Sequence, residues 1–136
     1  MDLDAIKKRF IEEVKLRAYD DKYIDLAEEK EILQIAIKEG ISIDSAIGAL
    51  RQVCANNGYI VEAVLNAKAK EMLAQFANDG VIDKKEFFDV VGILKTSAEG
   101  KLSETQCQKK AKNLVLENEW KVKEGMLSGG KWFSSI

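Results

Sequence analysis

A chain of 136 residues, 46% apolar and 32% charged, is long enough to bury a core and falls in the soluble globular class rather than the disordered or fibrous ones. A net charge of −2 argues against general nucleic-acid binding. The absence of histidine removes His-based acid–base catalysis, Ser-His and Cys-His nucleophiles and His metal ligands.

Proline is also absent, while Ala, Leu, Ile, Lys and Glu are plentiful, a mixture that favours helices. The chain reads as all-α, with six helical segments. The first runs from Asp2 or Asp4 to Arg17, with Leu3, Ile6, Phe10 and Val14 on one stripe. The second starts after Asp25 and runs to Gly40, a residue suited to a left-handed C-terminal stop. Its apolar residues, Ile32, Leu33, Ile35, Ala36 and Ile37, fall on several sides and predict a central, well-buried helix. A third follows Ile-Ser-Ile-Asp (41–44), carries Ala46, Ile47, Leu50, Val53 and Cys54, and stops at Asn-Asn-Gly (56–58). The fourth spans about 61–77 with Val64, Leu65, Met72, Leu73 and Phe76. The fifth carries Phe87, Val90, Val91 and Leu94 and ends near Lys95. The sixth spans roughly 104–123 with Cys107, Ala111, Leu114, Val115 and Trp120. Asp25 with Glu28, Asp83 with Glu86, and Ser103 with Gln106 have capping-box spacing at three of these starts.

Two halves repeat. Tyr23-Ile24-Asp25 with Glu28 lies over Val81-Ile82-Asp83 with Glu86 at an offset of 58 residues, Asp21 falls on Asp79, and Gly40 meets Gly100 after a slip of two. The expected organisation is one helical domain over 1–124 with repeats at about 18–57 and 76–120, then a Gly- and Ser-rich tail at 125–136. The β-branched Ile-Asp turns predict a short bridge between one another.

Residues 75–86, QFANDGVIDKKE, invite comparison with an EF-hand loop, which places oxygen ligands at positions 1, 3, 5, 9 and 12 and Gly at 6. Asp79, Gly80, Asp83 and Glu86 match positions 5, 6, 9 and 12, but Gln75 and Ala77 occupy 1 and 3. The first repeat offers Asp21, Asp25 and Glu28, with Arg17 at 1, Tyr19 at 3 and Lys22 at 6. Two ligand positions fail in both, so weak Ca²⁺ binding or none is expected, with no other cofactor. The same residues suit a turn followed by a helix cap. Both readings stand for Asp79, Asp83, Glu86, Asp21, Asp25 and Glu28.

These turns, FANDGVIDKKEF and RAYDDKYIDLAEEKEI, resemble the ADG-x-Ile-Asp-x-x-Glu turns of TerB-like domains, the tellurite-resistance-associated helical family. The resemblance implies a compact all-α domain of duplicated helical units, a stress-response setting, and acidic turns associated with metal. Asn78 departs from the Ala-Asp-Gly pattern, and Lys22 replaces its Gly in the first repeat.

Cys54 and Cys107 sit in helical patterns and read as buried free thiols. No apolar run is long enough for a membrane span, and the acidic start is wrong for a secretory signal, so a cytoplasmic setting is expected. Gly129-Gly130-Lys131 lacks the rest of a phosphate loop. No residue set picks out an active site, and a noncatalytic protein is expected. Three readings follow: a protein-binding adaptor, a metal-responsive version of it, and a nucleic-acid module whose third helix has only Arg51 as a cation. The last is the poorest. For a protein partner, Lys131, Trp132 and Phe133 are the candidate contacts, either hanging on the glycine lead or folded back on the core. Residues 109–136, with six Lys against three Glu, form a basic end.

Overall fold

The computed structural model describes residues 2–125 and 129–136. Six helices account for most of the described residues, and the fold is all-α. In chain order they are α1 (Leu3–Arg17), α2 (Leu26–Lys38), α3 (Ile43–Asn56), α4 (Glu62–Ala77), α5 (Lys84–Ser97) and α6 (Glu104–Glu117), with two-residue strands β1 (Tyr23–Ile24) and β2 (Ile60–Val61). Backbone proximity divides the chain into two units, 1–64 and 65–136, and the boundary falls within α4.

In the first unit α1, α2 and α3 pack on one another. Ile6, Phe10 and Val14 of α1 meet Ile32, Leu33 and Ala36 of α2 and Ala46, Leu50, Val53 and Cys54 of α3 in one core. Leu3, predicted on the α1 stripe, is 37% exposed. The α2 helix is one-sided rather than buried all round: Ile37 is 39% exposed, and its neighbour Ile35 is half-buried. Helix α3 starts earlier than its pattern indicates, because Ser42 caps it by accepting from the Ser45 N–H. In the second unit α5 and α6 pack together, burying Phe87, Val90, Val91 and Leu94 with Cys107, Ala111, Leu114 and Val115. Helix α6 ends at Glu117 rather than near residue 123, because Asn118 caps it and Glu119 turns left-handed at φ 55°.

The expected bridge between the two Ile-Asp turns is not formed. Instead β1 pairs in parallel with β2, Tyr23 opposite Ile60 and Ile24 opposite Val61, while Ile82 bridges in parallel to Val122. The reason is local. In each half the two helices after the turn bring the chain back beside it, and the segment following the second helix supplies the free backbone groups. Ile82 donates its N–H to Lys121 O and accepts from the Lys123 N–H, each at 2.8 Å. Fully buried Ile24 and Ile82 anchor these pairings.

The duplication is therefore closer than the turns alone indicate. Asn57 and Asn118 each donate from the side-chain amide to the carbonyl four residues back, Val53 and Leu114, at 2.8 Å. Gly58 (φ 75°) and Glu119 (φ 55°) follow, and then Tyr59 and Trp120 donate their backbone N–H to Cys54 O and Val115 O. Both ends are Schellman motifs. Each repeat runs from its Ile-Asp turn through a helix pair to the strand partner beyond, past the 57 and 120 endpoints.

Candidate functional site

Four of the six acidic turn residues form helix caps. Asp25 Oδ1 accepts from the Glu28 N–H at 2.8 Å while Glu28 Oε1 accepts from the Asp25 N–H at 3.2 Å. The second repeat copies this, with 2.8 Å from the Glu86 N–H to Asp83 Oδ1 and 3.0 Å from the Asp83 N–H to Glu86 Oε1. Reciprocal bonds of this kind satisfy helix-start donors that otherwise lack partners. Asp21 Oδ1 accepts from the Tyr23 N–H at 3.1 Å, closing the turn before β1. Asp79 is exposed, next to Gly80 at φ 114°. Burial raises the Glu28 carboxyl above its ordinary range, despite the bond from Asp25. Among the described residues no three Asp, Glu or Cys side chains converge on one point suited to a metal ion.

The C-terminal aromatics do not hang free. Trp132 and Phe133 are only 8% and 7% exposed. Phe87 lies at the centre of their cluster, with ring centroids 5.3 Å from Trp132 and 5.6 Å from Phe133, and Phe88 stands 5.9 Å from Trp132. Trp132 Nε1 donates to Lys123 O at 3.0 Å, so its polar edge is satisfied as well as its apolar body. Glu124 fixes the turn: Oε2 accepts from the Phe133 and Ser134 N–H groups, and Oε1 accepts from the Ser134 hydroxyl. These bonds, led by the Ser134 N–H, hold the Glu124 carboxyl below its ordinary range. Lys112 donates to Ile136 O at 3.0 Å and lies 5.2 Å from the Phe133 ring centre. Trp132 and Phe133 thus serve the fold, and of the three expected partner contacts Lys131 alone is exposed. Met126, Leu127 and Ser128 lie outside the described residues.

Both thiols are buried and free. Burial, and then the nearby Glu29 carboxylate, pushes Cys54 up to about 11. Glu29 is the buried charge of the first core, 3.6 Å from Arg51 across α2 and α3. Neither thiol has the lowered pKa of a nucleophile.

What pattern reading missed is on the surface. Leu16 is 76% exposed and Tyr19 is 82% exposed, at the end of α1 and in the turn after it. The buried residues set the comparison with the other half: Ile6, Phe10 and Val14 of α1 correspond to Leu65, Ala69 and Leu73 of α4. In that register Leu16 meets exposed Gln75, while Tyr19, past the helix end, meets exposed Asn78, or half-buried Ala77 at the turns' offset of 58. The other half has no large exposed apolar side chain at these positions. The signal lay in the sequence, but it needed the register of the buried positions to be read. No protein-family model, curated protein or solved structure matches the chain.

Proposed function

We propose that the chain is a noncatalytic protein-binding module, and that the face carrying Leu16 and Tyr19 is its contact surface. One observation supports this above others: a Tyr and a Leu, three positions apart, project into solvent where the duplicated unit has Gln75 and either Ala77 or Asn78. Leu16 stands in the last turn of α1 and Tyr19 in the turn that follows, so the two flank one helix end. A Tyr anchors interfaces well, because it supplies a large rigid apolar area with a polar tip. Neighbouring groups hold the patch steady, since Arg17 bonds both Glu13 and Glu31 and so ties the end of α1 to α2. The adaptor reading is further supported by what the acidic turns and thiols do, since caps and core packing account for them. The cytoplasmic, stress-associated setting belongs to the same proposal and has the TerB-like turn motifs as its support.

The test is affinity capture from cells with the wild-type chain and with Leu16→Glu and Tyr19→Ser, scored beside thermal unfolding. Both side chains are exposed, so stability should change by no more than about 0.5 kcal/mol. A specific partner should be retained by the wild type and lost by both variants. Identical captured sets would overturn the assignment of this face.

A further inference from the structure

The two units differ in charge as well as in exposed apolar residues. Residues 1–64 hold nine Lys and Arg against thirteen Asp and Glu, whereas 65–136 hold twelve Lys against ten Asp and Glu, and no Arg. Much of the excess gathers around the C-terminal turn. The Ile82–Val122 bridge sets exposed Lys121 and Lys123 either side of the paired residue. Lys84, two residues beyond Ile82, packs against the turn: its Cδ lies 3.1 Å from where a Cβ on Gly129 would stand. Lys131 is exposed on the same turn, and Lys112 reaches Ile136 O. The carboxylates among them are Glu124, occupied by three donors from 133–134, Asp83 and Glu86, each accepting from the other's backbone N–H in the α5 cap, and exposed Glu119.

Comparison with the first repeat separates what this arrangement owes to the fold. Through the Asn57–Asn118 and Asp25–Asp83 correspondences, Lys121, Lys123 and Lys84 replace Ile60, Glu62 and Leu26, while Lys112 replaces Arg51. In the first repeat Glu62 Oε1 accepts from the Leu26 N–H at 3.0 Å. The second repeat builds the same turn and pairing with lysines at all three positions. Three cations have been placed where the architecture is satisfied by Ile, Leu and Glu.

We propose that this lysine rim is a second contact surface, which binds a carboxylate-rich segment of a protein partner. The inference rests on reading the chain as a protein-binding module, though on a different surface from Leu16 and Tyr19. Clustered lysines attract anions at long range and accelerate association. An acidic polypeptide suits the rim better than nucleic acid. Trp132 and Phe133 are buried and offer no stacking face, Trp120 beside Lys121 is only partly exposed, and the unit contains no Arg for forked contacts to phosphate or base edges.

The experiment is fluorescence anisotropy of a labelled oligoglutamate peptide with the full chain at low ionic strength. Its comparison arms are the double variant K121E/K123E, the remote lysine control K70E/K101E, the L16E/Y19S variant, and single-stranded and duplex DNA of matched charge. The expected result is saturable peptide binding that weakens with salt and falls about tenfold or more in K121E/K123E. Binding should persist in K70E/K101E, whose lysines are exposed elsewhere, and in L16E/Y19S, so failure of the apolar face would leave this result standing. No saturable binding, equal loss in the remote control, or tighter binding of either DNA would overturn the proposal. So would salt-dependent self-association that K121E/K123E abolishes without any peptide binding, since the acidic surface would then be a second copy.

Discussion

Replacing Glu119 with Gly is expected to stabilise the protein. Glu119 sits at φ 55° in the Schellman motif after α6, where its N–H donates to Leu116 O at 3.2 Å. A side chain in this region costs roughly 1–2 kcal/mol, because its Cβ crowds the following carbonyl. Glycine avoids that strain but adds roughly 0.5–1 kcal/mol of unfolded-state entropy to be lost on folding. The net gain expected is therefore about 0.5–1 kcal/mol. Gly58 supplies the reverse experiment at the equivalent position, φ 75°, with no atom within 4 Å of an added Cβ. Gly58→Ala should therefore cost about 1 kcal/mol through the backbone alone, with no clash to confuse it. Chemical denaturation of both variants, fitted with a common slope, measures the two changes directly. Loss of stability in Glu119→Gly, or none in Gly58→Ala, would refute the claim that the two helix ends share one strained motif.

Asp83→Ala should cost about 0.5–2 kcal/mol, and the loss should persist in chelator because Asp83 caps α5; recovery on stripping metal would instead make it a ligand. Calorimetric titration of chelator-stripped protein with Ca²⁺ should show dissociation at roughly 10⁻⁴–10⁻³ M or weaker, and binding near about 10⁻⁶ M would contradict the ligand count. Trp132→Ala should destabilise by about 3–5 kcal/mol in denaturant, since it empties the space against Phe87 and orphans Lys123 O; a neutral result would return the C-terminal rings to the pool of free contacts. The Glu124 carboxyl is lowered in the fold, so its contribution to the C-terminal turn is fully present above the ordinary carboxylate pKa and is lost as pH falls through the lowered value. Tryptophan fluorescence during acid titration should report that loss, and Glu124→Gln should flatten this part of the pH dependence. Cys54 should resist thiol reagents in the native protein and react on unfolding, with immediate native-state labelling contradicting its burial.

Helix content and caps were legible because their causes are short-range. Asp25 with Glu28, Asp83 with Glu86, and Ser103 with Gln106 each form the reciprocal box that three-residue spacing predicts. The α5 face of Phe87, Val90, Val91 and Leu94 is likewise a direct product of helical period. Strand partners were not legible. A two-residue β-branched turn announces that it can pair, but its partner depends on where a helix pair returns the chain. Glu119 hid the second Schellman motif for a related reason, since a carboxylate side chain gives no sign of a left-handed backbone. Trp132 was ambiguous because a ring after two glycines reads equally as lure or as plug; the bond to Lys123 O and the tilted contact with Phe87 decide it.

The duplication explains why surface chemistry can be read here at all. With a single unit, exposed Tyr19 or clustered lysines would be ordinary surface, since much of any folded surface is apolar and lysines are normally outside. Two copies of one turn, helix pair and strand partner provide an internal control. Positions that keep their character, such as Asp25 and Asp83, Asn57 and Asn118, or Ile24 and Ile82, carry caps and pairings both units need. Positions that diverge are Leu16 against Gln75, Tyr19 against Ala77 or Asn78, and Lys121 and Lys123 against Ile60 and Glu62; none carries a duty that both units share, although Glu62 holds the Leu26 N–H in its own unit. Giving exposed Leu16, Tyr19, Lys121 and Lys123 the other half's side chains should then leave stability nearly unchanged while removing binding. Exchanging the retained ones for alanine should do the reverse. A Tyr19→Asn change that unfolds the protein, or an Asn118→Ala change that does not destabilise it, would break this division.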